Sequence, residues 1–330
     1  MKVDWEVEVA GTGFSVPERI VTNAEFASRI DTSDEWIVQR TGIRERRFAA
    51  PDESTLTFAA AAGRTALAQA QMSPTELDLI VCGTITPDHT LPSTASLLQA
   101  ELGCRWIPAF DLAAACSGMV WSFIVAAQYI ATGTARNVLV VGAETLTRIT
   151  DQEDRGTAVL FGDGAGAVIL RPSTAPQRRI LAMRQGADGT RAMLINVPAG
   201  GAKNPASPQT LAERMHYMRM RGREIYKFAV TQMCDIIHET AADAGLRVED
   251  VALIIPHQSN LRIIESACDK AGVAPERVLV NIDRYGNTSA ASVGIALHEA
   301  RMAGRIKPGD VVMLVAFGAG LTWGSILLRM

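Results

Sequence analysis

Polar and apolar positions alternate in blocks along the chain. Short, largely apolar runs at residues 7–10, 79–82, 138–141, 180–183, 253–255 and 311–315 read as strands. Longer alanine-rich or amphipathic stretches at 57–71 and 224–245 read as helices. Thr32 and Ser33 are helix-start residues ahead of Asp34-Glu35-Trp36. Strand–helix alternation predicts an α/β fold, a mostly parallel sheet covered by helices. Gly11-Thr12-Gly13 reads as a tight turn, since a dinucleotide loop needs a third glycine. The glycine-rich run from Gly162 reads as a turn into a strand; no Gly-Lys-Ser/Thr follows to make a phosphate loop. Residues 198–216 read as a long polar loop.

One stretch organises the rest. From Ile107 the chain reads as a strand, tightens at Ala114-Ala115-Cys116-Ser117-Gly118, and continues as a helix to about residue 131, stopped by Thr132-Gly133. No charged residue occurs between residues 112 and 135. A helix that is apolar all round is a buried one. Ser122, Gln128 and the preceding strand argue for a protein core over a membrane span. Cys116 therefore stands at the first turn of a buried helix, where free N–H groups and the helix dipole favour a thiolate. The plainer alternative is an inert core cysteine.

The pattern also repeats. Leu79 and Leu253 are 174 residues apart, and so are Val141 and Val315. The same step carries Cys116 to Ala290, within Gly-Asn-Thr-Ser-Ala-Ala-Ser at the start of the matching helix. This predicts two duplicated halves, 1–174 and 175–330, facing each other at the starts of equivalent helices.

Composition narrows the class without changing the plan. The chain has 330 residues, 48% hydrophobic and 20% charged, enough for a large core. A net charge of -3 gives no field for nucleic acid or an acidic membrane, so neither is expected as a partner. Five cysteines without a Cys-x-x-Cys pair, and an N-terminus without an apolar leader, point to the cytoplasm, with no disulfide framework and no metal site.

The duplication brings chemistry to the junction. The strand at 253–255 ends in Pro256-His257-Gln258-Ser259-Asn260, and the helix equivalent to that of Cys116 is preceded by Gly286-Asn287-Thr288-Ser289. Ligand sites in such sheets lie at the carboxyl ends of strands. Cys116, His257 and Asn287 can meet there, a thiol to hold an acyl group and two donors for an oxyanion. Taken singly, His257 could be structural and Asn287 a turn residue.

Through these residues and their flanks, the sequence resembles the β-ketoacyl-[acyl-carrier-protein] synthase III family of thiolase-fold condensing enzymes. The likeness spans nearly the whole chain. It rests on Asp31-Thr-Ser-Asp-Glu-Trp-Ile-Val-Gln-Arg-Thr-Gly-Ile-Arg-Glu-Arg, Ala113-Ala-Ala-Cys-Ser-Gly, Phe161-Gly-Asp-Gly-Ala-Gly-Ala, Pro256-His-Gln-Ser-Asn-Leu-Arg, Arg284-Tyr-Gly-Asn-Thr-Ser-Ala-Ala-Ser and Phe317-Gly-Ala-Gly-Leu-Thr-Trp-Gly. The resemblance implies a layered αβαβα thiolase-like fold. It implies an acyltransferase that condenses a short acyl-CoA with malonyl-acyl-carrier protein by decarboxylation, opening type II fatty acid synthesis. No permanently bound cofactor is implied; coenzyme A arrives as the substrate thioester. By the same resemblance, Cys116 is the nucleophile, and His257 and Asn287 promote decarboxylation. The N–H groups of Cys116 and Ala319 form the oxyanion hole. Thr32, Trp36, Arg40, Arg155 and Asn260 bind coenzyme A, and Leu91 and Phe317 shape the acyl pocket. Lys227, Arg262 and Lys270 meet the carrier protein, and the assembly is a homodimer.

Two departures stand out: Asp269 beside Lys270 interrupts the basic carrier-binding face, and Leu91 stands where some members have an aromatic ring. The alternative is a related ketosynthase III-like acyltransferase of specialised, polyketide-type metabolism with a different acceptor. An intact Asn287 disfavours pure acyl transfer, which forms no carbanion. A cysteine hydrolase of Cys…His…Asn order is a further reading, against which Cys116 lacks a protease-type flank. An inactive acyl-binding scaffold is the last, and retention of all three polar residues speaks against it.

Overall fold

The computed structural model describes residues 2–175 and 177–330. Two five-stranded sheets form its frame. The first runs in the order Val7–Ser15, Asp163–Pro172, Val138–Thr145, Leu79–Gly83, Ala109–Leu112. The second runs Lys2–Trp5, Arg179–Ala187, Thr322–Arg329, Val311–Gly318, Leu253–Pro256. Strand for strand, 79–83, 138–145 and 163–172 occupy the places that 253–256, 311–318 and 322–329 occupy in the second sheet. The strand Lys2–Trp5 lies outside its own half, antiparallel to Arg179–Ala187 at the edge of the second sheet.

The sheets are mixed, not mostly parallel. Leu79–Gly83 is parallel to both of its neighbours and Leu253–Pro256 to its one neighbour, but the remaining pairs are antiparallel. The cause is local. After Val311–Gly318 the chain reverses through residues 319–321 and returns as the next strand, a connection too short for a helical crossover.

Helices fill three layers around the sheets. The helices Gly118–Ala131 and Ala291–Met302 lie between them, where Met119, Phe123, Val293 and Leu297 pack on Val140 and Leu314. Sheet on both sides explains why the first of these helices is apolar all round. The helix Thr55–Gln69 covers the outer face of the first sheet, and Gly222–Asp243 and Leu261–Lys270 cover that of the second. The result is the αβαβα stack. The starts of the two central helices touch, as the duplication predicts: a methyl on Gly118 would come within 3.1 Å of Ala290 Cβ.

Gly11 and Gly13 are not a turn. They continue the strand Val7–Ser15 beneath the helix Thr55–Gln69, and a Cβ on either would lie 2.2 Å from a helix carbonyl, of Ala66 and Ala62 respectively. They are glycines because helix and strand backbones meet there. The expected helix start at 32–33 is real: Ser33 caps the helix Asp34–Thr41, its hydroxyl accepting from the Trp36 N–H at 3.1 Å.

Candidate active site

The carboxyl ends of four strands, 79–83, 138–145, 253–256 and 311–318, open toward one apolar cavity. Cys116, His257, Asn287 and Phe317 line it together, with Ala319 and Asn260 at its wall.

Cys116 sits in a single 3-10 turn, Ala115–Ser117, that leads into the buried helix. Ala115 before it holds a left-handed φ of 45°, which turns the thiol out of the core and into the cavity. Gly318 backs directly onto it, since a Cβ there would lie 2.7 Å from the Cys116 nitrogen. The Thr322 hydroxyl pins the two loops together, within 3.1 Å of the Ala114 and Ala319 carbonyl oxygens. A thiolate stabilised by the helix end is not what this setting yields. Burial pushes the thiol up to about 12, opposed by a hydrogen bond with Ser289 and reinforced by the charge of Glu144. Desolvation outweighs the helix dipole, so the resting sulfur carries its proton.

His257 follows the strand end, its N–H donating to the Val315 carbonyl at 2.7 Å. It is 1% exposed, and burial pulls its imidazole down to about 3, so the ring is neutral. Nδ1 lies 2.7 Å from the Ser292 hydroxyl, which also accepts from the Gln258 N–H at 3.4 Å. We assign the serine proton to Nδ1 and the ring proton to Nε2, the tautomer that presents a donor to the cavity. Phe317 meets the ring edge-on at 5.7 Å between centroids and fixes its plane.

Asn287 is fixed from its other end. Its Oδ1 accepts from the Ser289 N–H at 2.9 Å, which leaves Nδ2 to donate into the cavity. Its backbone is clasped by the glycine-rich turn: the Asn287 N–H donates to the Leu160 carbonyl at 2.8 Å, and its carbonyl accepts from Gly162 at 3.1 Å. The turn read from Gly162 is thus the brace of Asn287.

The residues assigned to coenzyme A gather at the mouth. Arg40 and Arg155 both lie over the Trp36 ring, 5.3 and 5.0 Å from its centroid. Arg155 also pairs with Asp31 at 3.3 Å. The Thr32 hydroxyl is buried without a hydrogen-bond partner. Asn260 donates to the Arg40 carbonyl at 3.0 Å and caps the helix Leu261–Lys270 through Arg262 N–H, so one amide N–H is left for a ligand.

Other sequence-assigned residues stand apart. Leu91 is 81% exposed and does not line this chain's own cavity. Lys227, Arg262 and Lys270 are all exposed, but Lys227 belongs to a separate cleft with Arg191 and Glu224. Sequence reading assigned no role to Ser289, Ser292, Thr322 or Glu144. Only Glu144 carried a signal of its own, a lone acid closing the apolar strand Val138–Thr145.

Two family models match. The model for 3-oxoacyl-[acyl-carrier-protein (ACP)] synthase III covers residues 110–189, and that for its C-terminal part covers 241–330. A β-ketoacyl-[acyl-carrier-protein] synthase III of Symbiobacterium thermophilum is 50% identical over 323 residues, 98% of each chain. The solved 3-oxoacyl-[acyl-carrier-protein] synthase III of Aquifex aeolicus is 45% identical, with a TM-score of 0.91 over 98% of this chain and 100% of that one. The priming β-ketosynthase of the R1128 polyketide pathway superposes with a TM-score of 0.90 at 35% identity, covering 100% and 98%.

Proposed function

This chain belongs to the 3-oxoacyl-[acyl-carrier-protein] synthase III family, and from that premise we infer how its own residues divide the work. It is an acyltransferase of fatty acid biosynthesis that performs the initiating condensation, with acyl-CoA as substrate and no permanently bound cofactor. It acts with acyl carrier protein. Identity to fatty acid enzymes of 45–50%, against 35% to the polyketide priming enzyme, favours primary metabolism over the specialised alternative.

One observation carries the role assignment: a thiol, an imidazole Nε2–H and a carboxamide N–H converge on one apolar cavity, and each of the two donors is locked from behind. Cys116 attacks the acyl-CoA carbonyl, whose oxygen accepts from the N–H groups of Cys116 and Ala319. The malonyl thioester then takes the place of coenzyme A. Its carbonyl oxygen becomes an enolate oxygen as CO2 leaves, and the Nε2–H of His257 and the Nδ2–H of Asn287 donate to it. The new carbanion attacks the acyl-sulfur carbonyl and the product leaves. A neutral His257 suits this role, since a donor is needed there and an acceptor is not. The halves 1–174 and 175–330 contribute the nucleophile and the two donors respectively. The experiment that tests the assignment is direct: mass spectrometry should find the acetyl group of acetyl-CoA on the Cys116 peptide, and malonyl-carrier protein should discharge it. Acetylation elsewhere, or none, sinks the assignment.

At the mouth, the Trp36 ring stacks on adenine while Arg40 and Arg155 pair with phosphate oxygens. Arg40→Ala with Arg155→Ala should raise the KM for acetyl-CoA by about 10- to 100-fold, as expected for losing two charge-assisted contacts. The kcat for acetyl-pantetheine should hardly change. Equal losses on both substrates would assign the two arginines to folding.

The protein acts as a cytoplasmic homodimer in which Leu91 closes the floor of the other subunit's acyl pocket. Lys227, Arg262 and Lys270 offer positive charge to the carrier protein. Leucine is smaller than an aromatic ring, so starters of four to six carbons should be used beside acetyl-CoA, with shallow discrimination of roughly fourfold per methylene. Leu91→Phe should shift kcat/KM toward acetyl-CoA and Leu91→Ala toward longer chains. An unchanged profile over two- to eight-carbon acyl-CoAs in all three proteins would remove Leu91 from the pocket.

A further inference from the structure

The reaction assigned above leaves one proton without a destination. Cys116 enters as a protonated thiol and must lose its proton when sulfur bonds to the acyl carbon. His257 is poorly placed to take it, being held with Nε2 as a donor and pulled down by burial. The other groups around the sulfur are on the first half and on the loop before the helix Ala291–Met302. Ser289 lines the same cavity as Cys116, and its hydroxyl is the neighbouring side chain that opposes the upward push of burial on the thiol. Its hydroxyl also donates to Oε1 of Glu144 at 3.1 Å.

Glu144 is 0% exposed and forms no ion pair among the described residues. It is held by neutral donors alone. Oε2 accepts from the Thr86 hydroxyl at 2.6 Å, the Thr86 N–H at 3.1 Å, the Ile85 N–H at 3.2 Å and the Thr84 hydroxyl at 3.3 Å. The titratable groups that feel its charge are the thiols of Cys116 and, on the neighbouring strand, Cys82. Oε2 is thus saturated, while Oε1 has one partner, and that partner leads to the nucleophile.

The geometry points to Glu144 as the proton acceptor for Cys116, reached through the hydroxyl of Ser289. On acylation the Cys116 sulfur bonds to the acyl carbon, its proton passes to Ser289 Oγ, and the Ser289 proton passes to Glu144 Oε1. Coenzyme A leaves as a thiolate and takes a proton from water. Glu144 stays protonated while the acyl group is on sulfur. In the condensation the malonyl carboxylate leaves as CO2, and its electron pair forms the new carbon–carbon bond. The Cys116–acyl bond breaks with the pair on sulfur. The proton then returns from Glu144 through Ser289, which restores the thiol and the carboxylate. Burial against five donors sets Glu144 at about 7, where a carboxylate can both take and return a proton near neutrality. Both groups act on the Cys116 proton and not on the malonyl carboxylate, so losing this path should slow acylation and spare malonyl decarboxylation.

This rests on the assignment of Cys116 above, and the test keeps the two apart. Single-turnover acetylation of Cys116 by acetyl-CoA is followed by quench and mass spectrometry from pH 5.5 to 9 in wild type, Glu144→Gln, Glu144→Asp, Ser289→Ala and His257→Ala. Wild type should rise with pH and level off above about 7. Glu144→Gln and Ser289→Ala should be slower by about 100-fold at pH 7, the lower range for general base catalysis, and should still be rising tenfold per unit at pH 9. Glu144→Asp should recover part of the rate and the levelling. Ser289→Ala leaves all four bonds to Oε2 in place, so it decides the matter if Glu144→Gln does not fold. Wild-type rates and profile in Ser289→Ala, or a lost plateau in His257→Ala alone, would overturn the relay while leaving Cys116 as the nucleophile. A wild type that never acetylates Cys116 would overturn both.

Discussion

Cys116→Ser will form no measurable acyl-enzyme with acetyl-CoA, and condensation will fall on the order of 10,000-fold or more, the upper end of what a base and its nucleophile supply together. The setting explains the size. The sulfur sits in an apolar cavity, and its nearest titratable neighbours are a neutral imidazole and a buried carboxyl that titrates near 7. The carboxyl can take a thiol's proton, but neither group is strong enough to ionise a serine hydroxyl. The substitution is nearly isosteric, so thermal unfolding should stay at the wild-type temperature. The measurement is the mass of the 116-containing peptide after incubation with acetyl-CoA, beside the unfolding midpoint. Acylation of this variant to wild-type levels would mean that a base of a different strength faces the position.

The second large effect separates the two chemical steps. His257→Ala and Asn287→Ala should each acylate at close to the wild-type rate and lose decarboxylation of the malonyl thioester by about 100- to 1000-fold, the usual cost of one oxyanion donor. The loss should appear in kcat with little change in KM for malonyl-carrier protein, because the developing negative charge exists only in the transition state. The double variant should fall by less than the product of the two, since both donors serve one oxygen. Single-turnover acylation and release of CO2 are read on the same preparations. Failure of His257→Ala to acylate would move His257 from the second step to the first.

Much of the fold is legible in the chain itself. Strands and the buried helix follow from block lengths of apolar residues, and the 174-residue step carries Cys116 to the very contact between Gly118 and Ala290. What the pattern cannot give depends on contacts between residues far apart. Strand direction escapes it because the reversal at 319–321 leaves no distinctive mark among glycines also used for close packing. Gly11 and Gly13 look like a turn until the helix above them is seen. The state of the Cys116 thiol escapes it too, since a helix start is visible in sequence and the depth of burial is not. Ser292 and Ser289 aim the two donors, and in the sequence they are merely small residues on either side of two alanines.

The strand Lys2–Trp5 has a consequence for how the chain is made. Its partners, Ile180 and Ala182, belong to the other half. During synthesis residues 2–5 therefore wait, unpaired, until the start of the second half has emerged. The strand Val7–Ser15 beside it pairs with Asp163–Pro172 in the first sheet, so the short link between the two strands ties the halves together from the outset. A bulky tag fused ahead of residue 2 would then burden the half that holds His257 and Asn287, although it is attached to the half that holds Cys116.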